Sequence, residues 1–130
     1  MRDIVFRGKD MKGKAWHYGY LDATANKDTV VIHTDGLLPC EVQPDTVGEF
    51  TGLTDMYGKN IFEGDIVRMR AWRRERIGVV RWDDVNPSFC IKTQDDIEYD
   101  FVKCGEAELE IIGNIHDNPE LINQPKPNDQ

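Results

Sequence analysis

No apolar run in this sequence approaches the roughly 20 residues that a bilayer-spanning helix needs. The opening MRDIVFRGKD has no hydrophobic stretch of signal-peptide length. No membrane partner is expected, and the cytoplasm is the expected compartment. Cysteine is scarce: Cys40, Cys90 and Cys104 lie far apart with no Cys-x-x-Cys and no histidine at ligand spacing, which argues against a disulfide framework and a zinc site alike. Histidine is equally sparse. His17, His33 and His116 stand alone, without an HExxH or His-x-His pattern. No serine or cysteine has a nucleophile-elbow context. The adjacent acids Asp83-Asp84 and Asp95-Asp96 fall in turn-like stretches, where carboxylates serve turns more often than acid/base chemistry. We therefore expect no catalytic residue, no metal, no cofactor and no enzymatic activity.

An excess of positive charge is also missing. Against 24 Asp and Glu stand 16 Lys and Arg, a formal charge of -8 that argues against binding nucleic acid through the overall field. The chain nevertheless concentrates cations at Arg68, Arg70, Arg73, Arg74, Arg76 and Arg81, followed by an acidic stretch from Asp95 to Glu110.

What is present is strand-like alternation, with almost no helical periodicity. Ile4 and Phe6 alternate with charged neighbours, Gly8 to Lys14 reads as a turn, and Trp16, Tyr18 and Tyr20 share one face of a second strand. Residues 29–33 and 37–42 read as two further strands about an Asp35-Gly36 turn, and Pro44-Asp45 ends that pattern. In residues 66–72, Val67, Met69 and Ala71 face one way while Arg68 and Arg70 face the other. A basic loop then leads to strands over 77–82, 89–93, 97–102 and 109–115, about five in all, the number typical of a small barrel. Asn118-Pro119-Glu120 offers one closing helical turn, and the polar tail 123–130 is expected to be disordered.

Thr51 to Met69, TGLTDMYGKNIFEGDIVRM, has the glycine content of a binding loop. Its glycines, Gly52, Gly58 and Gly64, match neither GxGxxG nor a P-loop, and no helix follows them. Asp55 and Asp65 do not have the alternating spacing of a calcium loop. The stretch is better read as two chain reversals, with Gly58 and Gly64 allowing the turns and Asp55 and Asp65 accepting from backbone donors.

The run from Val47 to Val67 closely resembles the signature of the YopX protein family of bacteriophages, prophages and mobile elements. Phe6-Arg7-Gly8 resembles that family's opening, and Ile112 to Leu121 its closing motif. The resemblance implies a mostly β protein of phage or prophage origin, self-assembly, and no catalytic residues to carry over.

Together these readings give a mainly β protein: a small N-terminal β lobe (1–50) packed on an SH3-like β-barrel (51–122), with a short C-terminal helical turn and a disordered tail (123–130). Its core is expected from Trp16, Tyr18, Phe50, Leu53, Ile61, Phe62, Ile66, Val67, Val79, Phe89, Ile91, Tyr99, Phe101, Ile111 and Ile115. The expected role is that of a non-enzymatic accessory protein in the cytoplasm of a bacterial host. It would self-associate as a homo-oligomer and contact an unidentified host or phage protein, one version being an acidic decoy for a DNA-binding host protein. The alternative is a nucleic-acid-binding barrel that uses the Arg68–Arg81 hairpin, with Arg68, Arg70, Trp72, Arg73, Arg74 and Arg76 as the contact residues. Replacing Gly64 with Val is expected to destabilise the fold before it affects any activity. A soluble Gly64→Val protein with an unchanged melting temperature would contradict the turn reading.

Overall fold

In the computed structural model, residues 5–26, 29–71, 73–95, 97–100 and 108–122 are described. The chain divides into two compact units, Met1–Phe50 and Thr51–Gln130.

The first unit is an antiparallel sheet. Its strands are β1 (Phe6–Lys9), β2 (Trp16–Asn26), β3 (Thr29–His33), β4 (Cys40–Val42) and the first residues of β5 (Gly48–Thr54), in the order β4-β3-β2-β1-β5. Register decides which side chains are buried. Leu21 lies opposite Ile32 and Val30 opposite Val42, so Val30, Ile32 and Val42 form a core on one face, with Leu21, Cys40 and Val47 packed against it. Strand alternation then turns Trp16, Tyr18 and Tyr20 to the opposite face. There the Arg7 guanidinium lies 4.8 Å from the Trp16 ring centroid.

Two expectations fail in this unit for that reason. Trp16 is only half-buried, and Tyr18 is 47% exposed rather than part of the core. The strand expected over 37–42 shrinks to Cys40–Val42, because Gly36, with φ of 79°, reverses the chain and leaves Leu37 and Leu38 in an exposed connection. A 3-10 turn, Pro44–Thr46, follows, and its Thr46 Oγ1 accepts from Lys9 N.

The second unit begins within β5, which pairs with β6 (Asn60–Phe62). A five-stranded antiparallel sheet follows, ordered β10-β9-β8-β7-β11, from β7 (Asp65–Ala71), β8 (Arg74–Asp83), β9 (Ser88–Thr93), β10 (Glu98–Asp100) and β11 (Glu108–Asn114). One sheet face carries the core of Val67, Met69, Val80, Phe89, Ile91 and Leu109, joined by Ile61, with Tyr99 and Ile111 partly buried against it. Phe62, Ile66 and Val79 are buried as expected, whereas Leu53 is exposed and Phe50 and Ile115 are half-buried. Phe101 and the tail 123–130 lie outside the described residues. The closing helical turn is a 3-10 turn at Pro119–Leu121.

The two glycine reversals form as expected. Gly58 (φ 82°) closes a turn in which its N–H donates to Asp55 O at 3.0 Å, and Gly64 (φ 93°) occupies the next reversal. These are backbone conformations that a β-branched side chain strains. Asp55, buried at 6% exposure, accepts from Tyr57 N and Lys59 N through Oδ1, each at 2.9 Å, and from Ile111 N through Oδ2 at 3.1 Å. Asp65 Oδ2 accepts from Phe62 N at 2.7 Å.

Burial alone would raise the Asp55 carboxyl. The backbone N–H groups of Lys59, Ile111 and Tyr57, helped by the Lys59 charge, outweigh it and hold the group below the ordinary carboxylate value. A depressed folded value makes its stabilisation complete above the unfolded value of about 3.9 and progressively lost as pH falls through the folded one. Asp55→Asn is therefore expected to lower stability at neutral pH by about 2–4 kcal/mol, since an amide oxygen replaces a charged acceptor of buried donors. The deficit relative to wild type should shrink as pH falls below about 4, in urea unfolding followed by circular dichroism. A deficit independent of pH would contradict this account.

Candidate functional site

The arginine-rich segment is a tight hairpin rather than a basic loop. β8 starts at Arg74, and Ala71 pairs with Arg74, Arg70 with Glu75, Met69 with Arg76 and Arg68 with Ile77. Cross-strand charge complementarity at Arg70 and Glu75 extends the ladder further than the apolar pattern alone implies. On the other side of β7, Glu110 lies opposite Arg68 and Glu108 opposite Arg70.

Alternation sorts the arginines onto two faces. Arg68 and Arg70 share a face with Glu75 and Glu110. Arg68 Nη1 donates to Glu110 Oε1 and Arg70 Nε to Glu75 Oε2, each at 3.1 Å. Arg68 Nε also lies 3.1 Å from Glu75 Oε1, an ion pair without hydrogen-bond alignment. All these side chains are partly solvated, so each pair contributes about 0–1 kcal/mol of stability. Their larger effect is on charge, because two guanidinium groups are balanced by two carboxylates.

Arg76 points to the core face, with its guanidinium carbon 5.6 Å from the Tyr99 ring centroid. Its Nε and Nη1 are buried and find no hydrogen-bond acceptor among the described residues. Arg73 and Arg74 are exposed at the tip, and Arg73 has a φ of 61°, the left-handed region that non-glycine residues rarely adopt. Trp72 lies outside the described residues. The five expected arginines are thus not one surface: Arg68 and Arg70 are neutralised within the sheet, while Arg73, Arg74 and Arg76 have no ion pair among the described residues.

A cleft of roughly 140 Å³ on the Arg68-bearing side of the sheet is lined by Ile77, Val79, Arg81, Lys92 and Ile122 among others. It leaves no mark in the linear sequence, because Arg81 and Lys92 come together only through the β8–β9 pairing. Cys90 is buried near it, and burial, reinforced by the charges of Glu98 and Asp83, pushes its thiol up, away from the thiolate form that reacts. Asp83 serves a turn, its Oδ1 accepting from Val85 N at 3.0 Å. The Asp117 carboxylate accepts from Asn114 Nδ2 at 3.2 Å. Among the described residues, no group of three or more His, Cys, Asp or Glu is placed to hold a metal ion, and no helix is long and apolar enough to cross a membrane.

With the turns, the sheet register and the arginine hairpin established, comparison with known proteins is informative. A sequence profile described as YopX protein matches residues 5–123 of the 130-residue chain. The chain belongs to the YopX protein family. No curated protein sequence matches it. Among solved structures, the crystal structure of protein EF1440 from Enterococcus faecalis is similar, with a TM-score of 0.56 and 22% sequence identity over 92% of this chain and 98% of that one. At that identity the likeness shows the fold alone and assigns no activity to the hairpin.

Arg73 yields a direct test of the tip. A left-handed non-glycine residue costs about 1–2 kcal/mol, partly offset by the greater chain entropy that glycine loses on folding. Arg73→Gly is therefore expected to raise unfolding free energy by about 0.5–1 kcal/mol, measured by urea titration. A loss of stability would mean that the Arg73 side chain supports the hairpin.

Proposed function

We propose that this YopX-family protein is a non-enzymatic accessory protein of a phage, prophage or mobile element. In this reading it self-associates and acts through protein contacts in the cytoplasm of a bacterial host. The observation that carries the reading is the pair Leu37 and Leu38, 66% and 89% exposed on the β3–β4 connection. Covering an exposed leucine gains about 1.5–3 kcal/mol before the cost of association. Two adjacent leucines held outside the core are what a protein-binding surface uses, and a second copy is the partner that needs no further component. An SH3-like closure of the second unit belongs to the same reading and is supported by its run of short antiparallel strands.

The nucleic-acid alternative loses support from the pairing of Arg68 and Arg70 with Glu75 and Glu110. Of the expected contact arginines, Arg73, Arg74 and Arg76 are left without an ion pair among the described residues, on a protein of charge -8.

Light scattering on wild type and on Leu37→Asp/Leu38→Asp tests the proposal. Wild type is expected to form an oligomer that resists added salt, because its contact is apolar. The double variant is expected to be a monomer with an unchanged melting temperature. A wild-type protein that stays strictly monomeric at high concentration would overturn the reading.

A further inference from the structure

The first-unit sheet carries a ladder of rings on the face opposite its apolar core. Trp16, Tyr18 and Tyr20 occupy alternate positions of β2, so successive side chains stand about 7 Å apart on one side of the strand. Pairing with β1 sets Arg7 opposite Tyr18 and Lys9 opposite Trp16 on that side. Arg7, buried at 6% exposure, holds its guanidinium 4.8 Å from the Trp16 ring centroid, and Lys9 Nζ lies 5.8 Å from the same centroid. Those cations fix the indole at one end of the ladder. Tyr18 and Tyr20 remain 47% and 59% exposed, whereas the core of this unit is built by Val30, Ile32 and Val42 on the other face.

Charge on this hairpin opposes that of the whole chain. Between Val5 and Asp22 stand Arg7, Lys9, Lys12 and Lys14 against Asp10 and Asp22, in a protein of net charge -8. Asp10 is engaged in the turn, its Oδ1 accepting from Lys14 N at 2.9 Å, and Asp22 Oδ2 lies 3.4 Å from His33 Nε2. Lys12 and Lys14 are exposed in the turn that leads into Trp16.

We propose that this ladder, with Lys9, Lys12 and Lys14 at its Trp16 end, binds single-stranded nucleic acid by stacking bases on Tyr18 and Tyr20 and placing phosphates on the lysines. Every base has a π-face, so rings at regular intervals bind an extended strand with little regard to sequence. Duplex fits poorly, because its bases are already stacked on one another. A proline-rich peptide could use the rings but leaves the lysines without a role. The surface is distinct from the arginine hairpin of the second unit and from Leu37 and Leu38, and it does not depend on self-association. Net charge opposes a polyanion at long range, so the attraction is short-range and carried by the rings.

Fluorescence anisotropy of a labelled oligothymidylate, titrated with protein at physiological ionic strength, tests the proposal. Saturable binding is expected, weaker for the same strand annealed to oligodeoxyadenylate and for an oligoproline peptide. Tyr20→Ala is expected to weaken binding about fivefold or more at an unchanged melting temperature, while Tyr20→Phe retains it. Arg73→Ala/Arg74→Ala is expected to leave it unchanged. No binding by wild type, equal or tighter binding of duplex, or a folded Tyr20→Ala of full affinity overturns the proposal. Tighter binding of oligoproline overturns it in favour of a protein partner. Photo-cross-linking of a bromouracil-substituted strand to wild type needs no variant: adducts are expected at Trp16, Tyr18 or Tyr20, and adducts confined to other segments overturn the assignment. Because Leu37→Asp/Leu38→Asp keeps the ladder, a failure here is distinguishable from a failure of self-association.

Discussion

One carboxylate organises the second unit. Asp55 ends β5, and its two oxygens close the turn that follows through Tyr57 N and Lys59 N while reaching Ile111 N on β11, 56 positions later in the chain. Met56 N donates to Leu109 O at 2.8 Å, so turn and strand are joined at two places. Much depends on that latch. β11 is an end strand of its sheet, paired on one side with β7, and its register shifts between Ile111 and Gly113. Fixing Ile111 fixes the residue before it, Glu110, opposite Arg68. The charge pattern of the arginine hairpin is therefore set in part by an aspartate whose own hydrogen bonds go to Tyr57, Lys59 and Ile111.

This chain of dependence explains how much the sequence disclosed. Gly58 and Gly64 announced the two reversals because left-handed backbone restricts residue choice locally, and the acids beside them announced turn acceptors for the same local reason. The strand over Val67 to Arg70 was legible because Val67 and Met69 are buried while Arg68 and Arg70 face the other way. The family was legible in the run from Val47 to Val67. Long-range partners were not legible: nothing near Asp55 points to Ile111, and nothing near Arg68 points to Glu110. The extension of β8 to Arg74 was hidden too, since a charged ladder has no hydrophobic signature. Tyr18 lies outside the core because alternation identifies residues that share a face without saying which face is covered. Register with β3 decided that question.

For the candidate site, the sequence marked a segment but not how its charges group. A count of arginines along the chain treats all of them as equivalent cations. The sheet separates them by parity: Arg68 and Arg70 fall beside Glu75 and Glu110, and Arg76 falls beside Met69 and Tyr99. What reads as a basic patch in one dimension becomes a balanced charge lattice on one face and, on the other, a guanidinium against the Tyr99 ring. A molecule built this way has little long-range attraction for polyanions. Exposed leucines on the first unit add a surface that depends on area rather than charge.

Native-state hydrogen exchange resolved by residue tests the latch most directly. If Asp55 holds turn and strand as one cooperative element, the amides of Tyr57, Lys59 and Ile111 should share a single opening free energy equal to that of global unfolding. Turn amides that exchange freely while Ile111 stays protected would show that the turn opens independently of β11, and would contradict the dependence of the arginine hairpin on Asp55.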